Sequence, residues 1–248
     1  MTGVQTCALP ICNPNCGKTT VFNALTGLRA RVGNYAGVTV ERKEGAMLGG
    51  PVAPPVMILD LPGTYSLSPQ SLDEQIARDI LFCRVPDVPK PDCVVVVVDA
   101  SNLQRNLYYA MQVIELGYPT VLALNMVDVA RDIGTEIDAA GLSAALGVPV
   151  VPMVASDQQG LPDLRAQLIE HAARSRATGT AGTPSQPARS LLELPQRFGE
   201  EAAAIEALIV SRLPPRHWVP MAEAVLILGD SLTLRSEEHT SELQSRGL

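Results

Sequence analysis

The sequence predicts an α/β fold with a mainly parallel sheet, followed by a small, truncated all-α region. Apolar stretches at 56–60, 93–99 and 120–125 alternate with stretches of helical periodicity, which is typical of parallel strands connected by helices. Five of the seven residues at 93–99 are valine, as expected of a strand that helices cover on both faces. After residue 188 only helical periodicity continues.

The composition is that of a globular chain. Its 248 residues are enough for one large domain, or for one domain and a small partner. Hydrophobic residues make up 46% and charged residues 18%, which excludes a disordered chain. The net charge of −7 disfavours a broad nucleic-acid-binding surface, and no apolar stretch approaches the ~20 residues of a membrane-spanning helix. The five cysteines lack metal-type spacing, which fits a reducing compartment.

The two ends of the chain read as DNA-adapter sequence rather than as protein. Residues 235–245 back-translate into a common sequencing adapter, and the reverse complement of that adapter encodes residues 2–11. We therefore interpret 1–11 and 235–248 as adapter-derived and exclude them from fold reasoning; the alternative is a genuine charged tail. On this interpretation the native first strand of the sheet is missing, unless the apolar residues Ala8, Leu9 and Ile11 occupy its place by accident.

The remaining elements follow from periodicity and end signals. Helices are predicted where apolar residues recur at helical spacing; Ser71 with Glu74 forms a capping box, and Gly117 and Gly147 end later helices. Residues 28–55 are rich in Gly and Pro and contain a single strand. In order, the predicted elements are a helix at 17–26, strands at 38–43 and 56–60, a helix at 71–82, a strand at 93–99, a helix at 102–116, a strand at 120–125, a helix at 137–146, a strand at 148–154 and a helix at 161–174.

The chain divides into two folded parts. The α/β domain covers 12–174, and the small polar residues and two prolines at 175–188 indicate a linker. A partial helical domain follows at 189–234, with helices predicted at 200–213 and 218–228.

The segment Cys12-Asn-Pro-Asn-Cys-Gly-Lys-Thr19 fits the phosphate-binding pattern G-x-x-x-x-G-K-[ST] except at its first position. In such a loop the backbone N–H groups cradle the β-phosphate, the lysine neutralises phosphate oxygens and the threonine hydroxyl binds Mg²⁺. The helix N-terminus that follows also favours the anion. The alternative is a Gly-Lys helix start without a ligand. The residues expected at the phosphates are Cys12, Asn13, Pro14, Asn15, Cys16, Gly17, Lys18, Thr19 and Thr20.

Cys12 departs from the pattern for a reason that the adapter explains. The adapter supplies the first base of its codon, so a glycine codon with an overwritten first base would encode cysteine. A Cβ at a position that needs unusual backbone angles costs on the order of 1 kcal/mol or more. We therefore expect Cys12 to strain the loop and to weaken folding or nucleotide binding.

Two further segments supply candidates for Mg²⁺ and a γ-phosphate. Asp60 ends a buried strand, where its carboxylate can hold Mg²⁺ through water, and the Gly63 amide can sense the γ-phosphate; alone, an aspartate there is more often a turn former. Thr39 lies in a loop that can close on the same groups and open after hydrolysis; the alternative is an ordinary surface loop. The candidates are Gly37, Val38, Thr39, Val40 and Glu41 in the loop, and Asp60, Leu61, Pro62 and Gly63 at the strand end.

The segment Asn125-Met-Val-Asp128 follows a buried strand and predicts selection of guanine. Asp128 can accept hydrogen bonds from the N1 and N2 donors of guanine, which adenine lacks. Asn125 can reach the base edge and hold the phosphate loop, and backbone N–H groups after the next strand can meet the guanine O6. The alternative is turn chemistry at a strand end. The candidates are Asn125, Met126, Val127, Asp128, Ala155 and Ser156.

These motifs occur in the order expected of a small GTPase-type domain. The residues that carry a more specific resemblance lie at 13–27, 32–41, 60–67, 97–107 and 124–128, with the strings G-N-Y-x-G-V-T-V-E and D-L-P-G-T-Y-S-L the most specific. Through them the chain resembles the N-terminal cytosolic part of the ferrous iron transporter FeoB family, over roughly 12–234. The resemblance implies a P-loop GTPase domain followed by a helical domain that couples nucleotide state to the membrane.

The resemblance implies binding of GTP and GDP with Mg²⁺, and slow hydrolysis that regulates a ferrous iron channel beyond the C-terminus. Thr64 follows Gly63, so no glutamine stands there to orient the attacking water. In relatives the second asparagine of N-P-N, here Asn15, helps to bind an activating K⁺, which would offset transition-state charge. The implied catalytic residues are Asn15, Lys18, Thr39 and Gly63, and the implied metal ligands are Thr19, Thr39 and Asp60 for Mg²⁺ and Asn15 for K⁺.

The resemblance also implies a location and a partner. The full-length protein would lie at the cytoplasmic face of the bacterial membrane, with its own membrane domain as partner. The fragment is expected to be soluble and cytoplasmic, without a nucleic-acid partner, and its oligomeric state stays open. One alternative is a soluble ribosome-assembly GTPase, which predicts a basic RNA-binding appendage and does not suit the acidic chain; another is a nucleotide-sensing module with incidental hydrolysis.

The cysteines within the domain receive separate expectations. Cys16 stands where relatives often carry serine, and its thiol near a helix N-terminus is expected to be reactive. Cys83 and Cys93 are expected to be buried apolar residues rather than iron ligands.

Overall fold

The computed structural model describes residues 6–35, 40–50, 55–85, 88–178, 194–212 and 218–229. Several predictions concern residues outside these ranges: those on Gly37, Val38 and Thr39, on most of the linker, and on the C-terminal adapter-derived segment. Within the described ranges, no helix combines the length and the apolar composition that crossing a bilayer requires.

In the part of the chain that the structure describes, seven strands form one sheet. They are β1 (Thr6–Cys12), β2 (Arg31–Asn34), β3 (Glu41–Ala46), β4 (Val56–Asp60), β5 (Cys93–Asp99), β6 (Thr120–Asn125) and β7 (Val150–Pro152). Their order across the sheet is β2-β3-β4-β1-β5-β6-β7. Five neighbouring strands run parallel to one another, in the spatial order β4-β1-β5-β6-β7. The strand β3 pairs antiparallel with both β2 and β4. The predicted mainly parallel sheet is thus confirmed.

The strand β1 lies at the centre of the sheet, where the sequence predicts either a missing strand or apolar adapter-derived residues in its place, and the second of these alternatives is confirmed. It pairs in parallel with β4 on one side and with β5 on the other. Ala8, Leu9 and Ile11 are each at most 1% exposed. Strand pairing uses backbone groups, and successive side chains point to opposite faces. A segment of small and apolar residues can therefore form backbone hydrogen bonds with both neighbouring strands and bury its side chains on both faces of the sheet, even though we interpret its origin as adapter DNA.

The β2–β3 hairpin differs from the prediction of a single strand at 38–43. The strand β3 extends instead from Glu41 to Ala46, and β2 pairs with it, with Arg31 opposite Glu44. All four residues of β2 are exposed. A strand without a buried face has no apolar alternation, which is the signal that sequence reasoning uses.

The helices lie close to their predicted positions, with one addition. The helix α4 was not predicted, α6 continues past residue 174 into the predicted linker, and β7 is shorter than the predicted strand at 148–154. The helices are α1 (Lys18–Thr26), α2 (Leu72–Leu81), α3 (Leu103–Glu115), α4 (Val127–Asp132), α5 (Ala139–Leu146), α6 (Leu161–Thr178), α7 (Gln196–Arg212) and α8 (220–229).

The valines of β5 show how the sheet is covered. Val94, Val96 and Val98 enter the core that includes residues of α2 and α3. Val95 and Val97 enter the core on the other face, with residues of α1 and α6. The five valines are each at most 1% exposed. Helices therefore cover both faces of the strand, as its composition predicts.

The start of α2 is capped in a different way from a simple capping box. The Ser71 hydroxyl accepts from the Glu74 N–H at 3.3 Å, as predicted. The Glu74 carboxylate, however, accepts from the N–H groups of Gln70 at 2.8 Å and Tyr65 at 3.2 Å, rather than from that of Ser71. The helix start is thereby joined to the chain segment that follows Gly63.

The helical region rests against the α/β domain. Trp218 packs edge-on against Phe82, with ring centroids 4.9 Å apart. The Val219 N–H donates to the Leu116 carbonyl at 2.9 Å. Helices lie at both predicted places, as α7 and α8, while the domain boundary at 189 stays a prediction.

Candidate functional site

The phosphate loop connects β1 to α1. Two of its residues have left-handed backbone angles, Asn15 with a φ of 69° and Gly17 with a φ of 81°. A Cβ at Gly17 would overlap the Asn125 side-chain amide, so this position requires glycine both for its φ and for its space. Cys12 is not among the positive-φ residues of the described chain, because it is the last residue of β1. The backbone strain expected at Cys12 is therefore wrong.

Lys18 and Asp60 meet at the end of the sheet. Lys18 lies in the first turn of α1, and its ammonium group forms an ion pair with the carboxylate of Asp60, the last residue of β4. The two side chains are only 11% and 10% exposed. The structure thus brings the predicted phosphate-binding lysine and the predicted Mg²⁺-binding carboxylate together. They border an open cleft of about 410 Å³, which is lined by Lys18, Thr19, Val40, Glu41, Lys43, Asp60, Leu61, Pro62, Leu72 and Asp73.

The segment after Asp60 lies directly on the phosphate loop. The Thr64 N–H donates to the Cys12 carbonyl at 2.9 Å, and a Cβ built on Gly63 would be 3.4 Å from the Cα of Pro14. Gly63 therefore lies beside the loop that would cradle the phosphates, and the contact of its amide with a γ-phosphate stays a prediction. Thr39, the other predicted γ-phosphate sensor, lies outside the described residues.

Asn125 connects the phosphate loop to the loop after β7. Its side chain is buried, and its Nδ2 donates to the Cys16 carbonyl at 3.0 Å while its Oδ1 accepts from the Ala155 N–H at 3.0 Å. This is the loop-holding role that the sequence predicts. Met126 has a φ of 61° and turns the chain into α4, whose first turn contains the half-buried Asp128.

The outer members of the predicted base site are less tightly held. Ser156 is exposed, in a short 3-10 turn at Ala155–Asp157. Among the described residues no hydrogen bond joins Asp128 to Asn125 or to Ala155. Asp128 and Ser156 therefore border the site without belonging to its hydrogen-bond network.

Two thiols are buried under the phosphate loop. The Cys16 thiol donates to the Asn106 Oδ1 at 2.6 Å. A hydrogen bond donated by the Cys12 thiol lowers the pKa of Cys16, and the same bond, with burial, raises the pKa of Cys12. Cys16 is only 2% exposed, which opposes the reactivity expected of it. Cys93 is buried and Cys83 half-buried.

The donor set of the cleft fits Mg²⁺. Within the described ranges, no three His, Cys, Asp or Glu side chains gather into a metal cage. Mg²⁺ usually takes one or two protein oxygens and completes its shell with water and substrate phosphates. The Thr19 hydroxyl and the Asp60 carboxylate at this cleft are oxygen ligands of that kind.

Sequence reasoning missed several residues that surround the site. Lys43 and Asp73 line the cleft, but Lys43 lies on the half-buried strand β3 and Asp73 in an ordinary helix start, and neither carries a motif. Arg105 and Asn106 contact the phosphate loop from α3. They belong to the string at 97–107, which signals a resemblance but indicates no chemistry.

Comparisons with known proteins converge on one group. The family model described as ferrous iron transport protein B matches residues 6–168. The Fe(2+) transporter FeoB of Salmonella typhimurium is 50% identical over 163 residues, which is 64% of this chain and 20% of that protein. The chain thus spans about a fifth of that relative's length.

Solved structures extend the similarity beyond the α/β domain. The cytosolic domain of L. pneumophila FeoB has a TM-score of 0.77 at 37% identity, with 92% of this chain and 90% of that chain covered. The cytosolic domain of T. maritima FeoB in a GDP form has a TM-score of 0.76 at 31% identity, with 98% of this chain and 86% of that chain covered.

Proposed function

Because the chain belongs to the ferrous iron transport protein B family, we propose that it is the guanine-nucleotide-binding domain of a ferrous iron transporter. It binds GTP with Mg²⁺ and hydrolyses it slowly to GDP and phosphate. The nucleotide state regulates passage of Fe²⁺ through a membrane domain of the same protein, and the domain works at the cytoplasmic face of that membrane.

The observation that carries this proposal is the double hydrogen bond of Asn125. One side chain holds the Cys16 carbonyl of the phosphate loop and the Ala155 N–H of the loop after β7. These are the loops that would bind the two ends of one nucleotide, the phosphates and the base. A buried amide that fixes their separation suits a ligand of fixed length with both parts.

Binding follows from charge and backbone geometry. The N–H groups of Asn13 and of residues 15–19, together with the positive end of α1, attract the phosphates. Lys18 exchanges its partner Asp60 for phosphate oxygens, which frees the carboxylate. Thr19, Thr39 and Asp60 would then hold Mg²⁺, which when bound neutralises charge on the β- and γ-phosphates.

Slow hydrolysis follows from the residue after Gly63. The Thr64 side chain is 1% exposed and its hydroxyl donates to the Ser66 carbonyl at 2.7 Å. It therefore has no free group to orient the attacking water, and the Gly63 amide must act through the backbone. Asn15 would hold K⁺, whose charge offsets that developing on the phosphates.

Base selection provides the test of the proposed binding. In Asp128→Asn one guanine donor faces an amide N–H instead of an acceptor, and the hydrogen bond from the other donor loses its charge; a charged hydrogen bond contributes about 1.5–3 kcal/mol, and the unpaired donor costs about 1–3 kcal/mol more. Titration with fluorescent GDP should then show affinity lower by roughly 10²–10⁴-fold. Xanthosine diphosphate should bind the variant better, because the new amide donates to the C2 carbonyl of xanthine. The control is Asp132→Asn, an exposed carboxylate on the same helix. Equal affinity of the unaltered chain for GDP and ADP would refute the proposal.

Turnover separates the proposal from a nucleotide-sensing module. GTP hydrolysis measured in K⁺ and in Na⁺ should be faster in K⁺, and Asn15→Ala should remove the difference. A nucleotide-sensing module with incidental hydrolysis would show the same slow rate in both salts.

A further inference from the structure

The beginning of α3 supports the phosphate loop. The Asn13 Nδ2 donates to the backbone carbonyl of Arg105 at 3.4 Å, and the Cys16 thiol donates to the Asn106 side chain. Asn106 is itself fixed, because its Nδ2 donates to the Asn102 carbonyl at 2.8 Å. Two residues of the phosphate loop are thus attached to consecutive residues of one helix.

The side chain of Arg105 reaches the opposite side of the site. Its guanidinium carbon lies 4.7 Å from the ring centroid of Tyr65, a distance at which a cation is attracted to an aromatic face. Tyr65 comes two residues after Gly63, and its own N–H donates to Glu74. Arg105 therefore contacts the phosphate loop through its backbone and the γ-phosphate-sensing segment through its side chain.

From this geometry we propose that Arg105 is a positioning residue for hydrolysis, which holds Tyr65 so that the Gly63 amide stays in register with the phosphate loop. The inference rests on the proposed GTPase function. Since Thr64 offers no free group to the attacking water, the reaction depends on the backbone position of Gly63. Small displacements of a positioned group lower rates strongly, so a contact that limits movement of this segment affects kcat.

The test is a double-mutant cycle on the full chain. Arg105→Gln and Tyr65→Leu each remove the cation–ring contact, and the backbone bond from Asn13 to residue 105 remains in both. Each is expected to lower kcat for GTP about two- to five-fold, the effect of about 0.5–1 kcal/mol. KM and GDP affinity stay unchanged. The double variant should be no slower than either single variant.

Conservative variants and a matched control separate positioning from general damage. Arg105→Lys keeps a cation and Tyr65→Phe keeps the ring, so both should retain most of kcat. The control is Tyr108→Leu, an aromatic residue on the same helix that is 54% exposed; it should leave kcat unchanged.

Three results would overturn the inference. If Arg105→Gln leaves kcat unchanged while the unaltered chain hydrolyses GTP, or if the two losses add in the double variant, Arg105 has no positioning role. If the unaltered chain shows no GTP turnover, the proposed function fails, and the role of Arg105 fails with it.

Discussion

Asn125→Ala tests the connection on which the site is built. The amide makes one bond to the Cys16 carbonyl and one to the Ala155 N–H, both at 3.0 Å, and Asn125 is only 3% exposed. Alanine removes both partners and leaves a buried carbonyl and a buried N–H without them. Each such group costs about 1–3 kcal/mol. We expect a loss of about 2–4 kcal/mol in the free energy of unfolding, allowing for partial access of water to the loops.

The assay is thermal unfolding without nucleotide, followed by GDP titration. For a domain of this size the loss lowers Tm by roughly 4–16 °C, and GDP affinity falls as well because the two loops separate. The control is Asn102→Ala: Asn102 is exposed and its side chain makes no capping bond at the start of α3. If Asn125→Ala unfolds within about 0.5 kcal/mol of this control, the two bonds do not hold the site.

Two shorter predictions concern the loop and the central strand. Gly17→Ala places a Cβ at a φ of 81° and against the Asn125 amide, so GDP binding should be lost; unchanged affinity would contradict the geometry. Burial raises the pKa of Cys7 from 9.0 to about 12, with a contribution from Asp92. Between pH 9 and 12 the unfolded thiol ionises while the folded one stays protonated, so stability falls as pH rises. We expect the free energy of unfolding, measured with urea under reducing conditions at several pH values between 9 and 12, to fall less steeply with pH in Cys7→Ala than in the unaltered chain, by about 1.4 kcal/mol per pH unit. An unchanged pH dependence would exclude this thiol as the cause.

The fold could be predicted where side-chain burial follows a period. The valines of β5 indicate a strand covered on both faces, and Gly147 marks the end of α5, where its φ is 70°. The strand β2 could not be predicted, because all four of its residues are exposed. The strand β2 forms because its backbone pairs with β3, and the residues of β2 themselves carry no pattern that predicts this pairing.

The site could be predicted wherever a motif carries its own chemistry. Lys18, Asp60 and Asn125 fall in patterns whose residue types suit phosphate, metal and base contacts, and the structure brings them to one edge of the sheet. The contact of Arg105 with Tyr65 joins residues forty positions apart, and neither belongs to a catalytic pattern. The prediction of backbone strain at Cys12 was wrong for a similar reason. The positive φ values of the loop fall on Asn15 and Gly17, and the sequence does not show at which residue the strand ends and the turn begins.

The helix α3 links the parts of the molecule that the proposed function requires to communicate. Its first turns hold the phosphate loop and Tyr65, and farther along Gln112 accepts from the Leu67 N–H at 3.0 Å. Just beyond its last turn, the Leu116 carbonyl accepts from Val219 of the helical region. A helix of this length is a rigid rod of about 20 Å. A shift of the segment at 63–67 therefore either breaks the bond to Gln112 or moves the helix, and a moving helix carries the attachment point of the helical region with it.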